Sequence, residues 1–422
     1  MRILNTLRRA FRVPDLRRRI MFTFYMLLVF RLGTHIPVPG IDPSALEQLF
    51  AQGSLFGLLD MFAGGAFSSF SVFAMSITPY INASIIMQLL TVVVPTLERW
   101  SREGEEGRRK ISQWTRYGTV VLALIQASGM AAYMRGAGAL AMADAFGLVN
   151  VAITLTAGTV FLMWLGEQIT DHGVGNGISL LIFGGIVSRV PGGALNLIVY
   201  VREGTVSVVN VLILVVLGLL VIAGVVFMEE GRRRVPVRYS KRVIGRKMYG
   251  GQSTHIPMRL NQAGVIPVIF ASSVLAFPPT IAQFIPAPWA QSLAQSLDYG
   301  TALHTTLYFV MIVFFTYFYT AVTFNPQDVA ENIRKYGGFI PGRRPGRATA
   351  DYLDRVLVRL TLVGALYLAT IAVFPNFFGG LTGVPGIFFG GTALLIVVGV
   401  ALETMKQIEA QLLMRQYEGF MR

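Results

Sequence analysis

The sequence predicts an all-α membrane protein of ten transmembrane helices, on three observations. Ten stretches rich in apolar residues run along the 422 positions; 54% of residues are hydrophobic and 14% charged; and the basic residues fall almost entirely in every second gap. A chain this apolar cannot hide its surface in a soluble core of ordinary size. Of the 36 Lys and Arg, 7 precede Ile20, 6 lie from Glu98 to Arg116, 9 from Glu229 to Arg259, 7 from Asn325 to Arg359, and 3 follow Glu403. The other four, Arg31, Arg135, Arg189 and Arg202, fall in the alternate gaps. The positive-inside rule then predicts both termini and the three long basic loops in the cytoplasm, so the net charge of +14 belongs to one membrane face.

The expected spans are 20–34, 71–97, 117–134, 149–166, 176–190, 206–228, 263–277, 305–322, 360–374 and 388–404. Several fall short of the ~20 residues a perpendicular helix needs, so their ends extend or lean on neighbours. The first follows Arg17-Arg18-Arg19, and no small-residue cleavage site comes after it, so it reads as a retained helix. Next, Leu55 to Ala63 is apolar, yet at ~1.5 Å per residue it reaches less than half of the ~30 Å hydrocarbon core. It cannot span. Gly64-Gly65 and Ser68-Ser69 loosen the backbone behind it. Two readings fit an external segment of this kind: a re-entrant piece lodged in protein, or an amphipathic helix on the outer leaflet.

In the second span Ile77, Ile81, Ser84 and Gln88 are 4, 3 and 4 residues apart and share a helical face. The face reads as a wet vestibule closing on the isoleucines, or as packing with Ser and Gln as interhelical glue. The outer loop 191–205 divides the chain into halves 1–200 and 201–422 of five spans each. An odd number of crossings per half inverts one half relative to the other, with a working site between them. Loops 229–262 and 325–359 are too long and too charged for simple helix connections. Their Arg and Lys clusters suit anionic lipid, RNA phosphate or an acidic protein partner alike.

The apolar centres of the spans contain no Asp, Glu, Lys, Arg or His, which weighs against both a proton- or ion-coupled transporter and an intramembrane enzyme. Asp60 is a lone carboxylate, and Glu167 and Glu403 sit at helix ends. The stretch Gly245 to Ser253 has the glycines of a phosphate loop without its Lys or a strand-and-helix context. Asn82-Ala83-Ser84 matches a glycosylation acceptor but lies inside a span. With no cysteine and four scattered histidines, His35, His172, His255 and His304, neither a thiolate nor a histidine metal site is expected. No catalytic residue and no cofactor is assigned.

Several motifs resemble one known family. They are Ile36-Pro37-Val38-Pro39-Gly40-Ile41-Asp42, Thr78-Pro79-Tyr80-Ile81-Asn82-Ala83-Ser84-Ile85-Ile86, Gly104-Glu105-Glu106-Gly107-Arg108-Arg109-Lys110, Trp164-Leu165-Gly166-Glu167-Gln168-Ile169-Thr170, Gly175-Asn176-Gly177-Ile178-Ser179, Ala263-Gly264-Val265-Ile266-Pro267 and Arg344-Pro345-Gly346. In order, from about residue 16 to 417, the chain is similar to the bacterial SecY family, channel subunits of the Sec protein translocon. The resemblance implies two inverted five-helix halves around an hourglass pore, closed by an external re-entrant plug and able to open sideways to lipid. It assigns a pore ring to Ile77, Ile81, Ile178, Ile182, Ile266, Ile269 and Ile396, and a plug to Leu55, Phe56, Leu58, Leu59, Asp60, Met61, Phe62, Gly64 and Gly65 within 55–65. A lateral gate between the second and seventh spans would involve Pro79, Ser84, Gln88 and Pro267, the prolines serving as bends.

Arg242, Arg246, Lys247, Arg343 and Arg344 would dock cytoplasmic partners; Arg343 adds a charge that many members lack. The implied partners are the SecE and SecG membrane subunits, the SecA ATPase motor, the ribosome, an unfolded preprotein with its signal sequence, and membrane lipid; no DNA is implied. The expected function is a non-enzymatic protein-conducting channel of the cytoplasmic (inner) membrane, the alternative a secondary transporter with inverted repeats.

Overall fold

The computed structural model describes residues 8–42, 64–140, 144–239, 242–244, 247–249, 253–283, 285, 287–298, 301–382 and 391–420. Each expected span corresponds to a helix. They are α1 (Pro14–Gly33), α2 (Thr78–Val93), α4 (Glu105–Gly136), α5 (Ala145–His172), α6 (Gly177–Arg202), α7 (Val208–Glu230), α8 (Ile266–Gln283), α10 (Ala302–Thr323), α12 (Arg347–Thr382) and α13 (Gly391–Phe420). Shorter helices α3 (Pro95–Arg102), α9 (Pro288–Ser296) and α11 (Pro326–Lys335) lie between them. Among the described residues α4, α5, α6, α7, α10, α12 and α13 are each long and apolar enough to cross a bilayer; α2 with α3 forms a further candidate bent by 99°. The remaining two are α8, a shorter apolar helix, and α1, whose Arg17-Arg18-Arg19 dilutes its hydropathy.

Three details differ from the sequence expectation. The second span starts at Thr78, not at 71, because residues 66–72 bond to the loop after α1: Val38 N–H donates to Phe70 O at 3.0 Å and Val72 N–H to Ile36 O at 2.9 Å. Phe70 and Ser76 take left-handed backbone angles (φ 41° and 52°), which an α-helix cannot absorb. The fifth span does not end at 190. Pro191 sits inside α6, which continues to Arg202, so the dividing loop is only 203–207 and not 191–205. Loss of one i→i−4 bond at a proline is tolerated in a spanning helix where its neighbours re-satisfy the backbone.

The third difference is β-structure in the basic loops. Strands β1 (Arg232–Tyr239) and β4 (Ser253–Arg259) pair antiparallel, and β5 (Gly338–Phe339) joins β1 on its other side. The strands β2 (Arg242–Ile244) and β3 (Lys247–Tyr249) form a small hairpin. The second loop thus contributes a strand to the sheet of the first. Along β1 burial alternates: Val235 and Val237 point into a small core with Ile333, Ile340, Leu353, Val356 and Leu357, while Arg234, Pro236 and Arg238 are exposed.

The main core runs through both halves and includes buried residues of α1, α2, α4, α5, α6, α8, α10, α12 and α13. By contrast α7 is apolar all round and buries only Val225 and Glu229, leaving most of its surface for lipid or a partner. The principal contacts between the halves form two seams, α2 and α4 against α8, and α6 against α13.

Candidate functional site

Ile77 caps the N-terminus of α2 and Ile81 lies one turn inside it, so the 4-residue spacing puts both on one side. Ile182 in α6, Ile269 in α8 and Ile396 in α13 join them in the main apolar core, each at most 6% exposed. Four helices from the two halves therefore contribute five buried isoleucines to the main core. Ile178 and Ile266, each at or near the first turn of its helix, are half-buried and pack against this cluster. Ile178 fills the notch left by Gly166 of α5, where a Cβ would sit 2.5 Å from its Cδ1. Ile266 lines a pocket of about 100 Å3 with Glu229, Tyr319, Glu403 and Lys406 of the C-terminal half. All seven predicted ring residues thus lie in or against the core that the two halves share, Ile178 and Ile266 at its border.

The start of α6 is built by close backbone approach. A Cβ on Gly177 would overlap the carbonyl oxygen of Gly166, Gly177 N–H donates to Thr170 Oγ1 at 2.9 Å, and Asn176 Oδ1 caps α6 by accepting from Ser179 N–H at 3.1 Å. These contacts explain the two glycine-bearing motifs around 166 and 177. They set the height at which Ile178 and Ile182 enter the cluster.

Along the α2–α8 seam, a cavity of about 40 Å3 is lined by Thr78 and Asn82 of α2, Gln126 and Met130 of α4, and Ala276, Phe277 and Thr280 of α8. Asn82 is buried, and among the described residues its Nδ2 has no hydrogen-bond partner. Asn82, read in the sequence only as a discounted glycosylation acceptor, and Gln126 and Thr280, which carry no motif, could be found there only as polar residues inside apolar spans. Ser84 and Gln88 are half-buried, with Gln88 Nε2 donating to Ser84 Oγ at 3.2 Å.

The two prolines are not bends. Pro79 stands in the first turn of α2 and Pro267 is the second residue of α8, positions where a helix needs no N–H from them. They start the helices. The real bend in this region is at Val94-Pro95, where α2 turns into α3.

The predicted plug residues Leu55, Phe56, Leu58, Leu59, Asp60, Met61 and Phe62 lie outside the described residues. Gly64 and Gly65 are described, with φ of 66° and 90°, and the first is buried against α6. Arg246 likewise lies outside them. Arg242 and Lys247 belong to the β2–β3 hairpin, so the region around Gly245 has strands on both sides, contrary to expectation, but in a hairpin and not a strand–loop–helix phosphate site. Arg343 and Arg344 are exposed on a tight turn between Gly342 (φ 77°) and Gly346 (φ 101°). The Arg343 guanidinium lies 5.2 Å from the Tyr352 ring centre, whereas Arg344 is held by its backbone, its carbonyl accepting from Thr349 Oγ1 at 2.8 Å.

Comparison with known proteins follows the same lines. The SecY family model matches residues 71–405. The chain is 50% identical to the protein translocase subunit SecY of Halalkalibacterium halodurans, covering 99% of this chain and 100% of that one. It is 48% identical to the Escherichia coli K12 subunit, over 96% of this chain and 94% of the relative. Among solved structures, a protein-conducting channel superposes with a TM-score of 0.68 at 20% identity, over 93% of this chain and 92% of that one. Sec61 in a canine ribosome-channel complex gives 0.64 at 18% identity, with 93% and 92% covered.

Proposed function

This chain belongs to the SecY family, and on that premise we propose how its residues conduct polypeptide. It is the channel subunit of a protein translocase: unfolded secretory chains pass through it, and apolar signal or transmembrane segments leave it sideways into the membrane. The observation that carries this is that Ile77, Ile81, Ile182, Ile269 and Ile396, drawn from both halves, are all buried in the one apolar core the halves share. Branched apolar side chains offer water and ions no hydrogen bonds, so the idle pore stays dry; the same side chains yield around a moving chain without preferring any sequence. Ile178 and Ile266 widen that girdle toward the vestibule face marked by Ser84 and Gln88.

The route is set by partition. A segment of about 20 apolar residues gains by leaving for hydrocarbon, and a polar one does not. The α2–α8 seam is the exit, because a cavity separates the halves there, in which Thr78, Asn82, Gln126 and Thr280 stand among apolar side chains. Residues 55–65 act as the external plug of the idle state.

The distribution of Lys and Arg supports both termini and the β-sheet loops lying on the cytoplasmic side of the inner membrane. These loops dock the SecA motor or the ribosome through Arg242, Arg246, Lys247, Arg343 and Arg344; a related channel has been solved in a ribosome complex, which supports that assignment. SecE and SecG are its membrane partners. The chain itself does no catalysis, and energy comes from the docked partner.

Because the chain is free of cysteine, single cysteines can be placed at Ile81, Ile182 and Ile269. Each is expected to crosslink to a stalled secretory precursor, while a control at lipid-facing Val216 is not. Crosslinks confined to Val216 would remove the pore assignment.

A further inference from the structure

On the side of the membrane opposite the basic loops, α9 stands between α8 and α10, and its surface divides three ways. Ala290 and Ala294, with Leu297 just past the helix end, are 4 and 3 residues apart and form one buried stripe. The two alanines pack with Ala282 at the outer end of α8. Pro288, Gln291, Ser292, Gln295 and Ser296 make an exposed polar arc. Between arc and stripe, on one flank, Trp289 and Leu293 lie one turn apart, 64% and 42% exposed.

The surroundings set the depth of that flank. Leads of four residues (284–287) and five (297–301), at no more than ~3.6 Å each, tether α9 to the two helices beside it. Thr301 Oγ1 donates to Ser296 O at 2.9 Å, so the end of α9 abuts the start of α10. From its second residue α10 carries an exposed apolar stripe, Leu303, Leu307 and Val310, at spacings of 4 and 3. Such a stripe on a spanning helix faces hydrocarbon, so the hydrocarbon reaches the level of α9.

Nothing in the segment pulls the flank into water. No charged residue occurs from Leu260 to Leu297. The Ser292 and Ser296 hydroxyls are turned back onto the helix, donating to Pro288 O at 3.0 Å and to Ser292 O at 2.7 Å.

We propose that Trp289 and Leu293 seat α9 in the headgroup region of the outer leaflet, so that lipid holds the outer end of the gate helix α8 at a fixed depth. The inference rests on the topology of the channel reading above, which makes this side the outer one. A tryptophan at the boundary of an apolar flank and a polar arc matches a lipid interface, apolar below and wet above. The arc carries no cation, so the seat depends on apolar burial and not on anionic headgroups. Ala282 follows Thr280 of the α2–α8 cavity by two residues, so opening of that seam slides α9 along the interface.

The test uses the complete channel complex in liposomes of phosphatidylethanolamine and phosphatidylglycerol. Because the chain has no cysteine, a nitroxide is attached at a single Leu293→Cys or Gln291→Cys. Relaxation by dissolved oxygen against a water-soluble nickel chelate then reads depth. The label at 293 is expected about 5–10 Å into the headgroup and acyl boundary, and the label at 291 in water. Adding Trp289→Ser is expected to shift the 293 label outward, toward the value at 291. Nickel reaching both labels equally overturns the seat. A 293 label shielded from both reagents overturns it too, and assigns the flank to a protein partner. So does a depth at 293 that Trp289→Ser leaves unaltered. The topology is read separately with an impermeant thiol reagent: modification of Gln291→Cys only from the side that modifies Arg344→Cys overturns the orientation of the channel, and the outer-leaflet seat with it.

Discussion

A methyl group at Gly177 has nowhere to go, because the carbonyl of Gly166 already occupies that space. Gly177→Ala is expected to destabilise the channel by about 1–3 kcal/mol through overpacking, seen as a lower midpoint of thermal unfolding in detergent. An unchanged midpoint would mean that α5 and α6 separate freely there. At Asn82 the opposite sign is expected. Its amide is buried beside Gln126 and Thr280 with no partner for Nδ2 among the described residues, so Asn82→Leu removes that donor from the closed seam. The closed form gains, and release of weakly apolar signal segments into lipid should slow, as followed by protease protection of a signal-anchor substrate; faster release would refute the assignment. Ile77 and Ile81 were legible in the sequence because helical spacing marks a face, whereas Ile178, Ile182, Ile266, Ile269 and Ile396 came only from the family resemblance. The glycine contact was not, since periodicity within a helix says nothing about which distant carbonyl lies across from it. Pro79 and Pro267 misled for a related reason: a proline reads as a bend until the helix start is known to lie beside it.

At the level of elements, the basic loops are folded against one another. Val235 and Val237 of β1 pack with Ile333 and Ile340 of the second loop and with Leu353 and Val356 of α12, and β5 hydrogen-bonds to β1. Placing Val237→Asp in that core buries an unpaired carboxylate. Amide exchange should then rise in 232–259 and 338–340 together, and a rise confined to the first loop would show that the loops are independent. Arg344→Glu, by contrast, touches no core: its turn is exposed and its backbone bond to Thr349 remains. Motor-driven or ribosome-driven translocation should fall at least several-fold with the melting point unchanged, whereas Arg343→Glu is expected to cost some stability as well, through loss of the Tyr352 contact. Equal transport by Arg344→Glu and parent would end the docking role. The ten helices were legible because each carries a long apolar run. The sheet was not, although Arg234-Val235-Pro236-Val237-Arg238 alternates with period two; its charge and its proline masked a strand whose partners lie 15 to 27 residues and about 100 residues away.

For the whole molecule, what matters is that the halves are joined unequally. The α6–α13 seam is tightened on the basic face by a second apolar cluster, in which Ala10, Leu16 and Val174 meet Ile408. The α2–α8 seam encloses a cavity whose mostly apolar walls carry Thr78, Asn82, Gln126 and Thr280. Within the C-terminal half, the basic-face end of α8 is held: Asn261 Nδ2 donates to Glu229 Oε1 at 2.5 Å and to Gly264 O at 3.0 Å, and Lys406 Nζ donates to Glu229 O at 3.1 Å. A helix tied at one end and facing a cavity farther along is free to swing about the tied end, so opening is expected between α2 and the far part of α8, with α6–α13 as the hinge. Two cysteine pairs separate these roles in a chain that has no cysteine of its own. Thr78 with Thr280 bridges the first seam, both lining its cavity, and Val174 with Ile408 bridges the second. Closing the first pair with a short crosslinker should abolish lateral release of an apolar segment, and reduction should restore it; closing the second should leave release intact. If the second crosslink blocks release and the first does not, the gate and the hinge are exchanged, and the unpaired Asn82 belongs to a static contact.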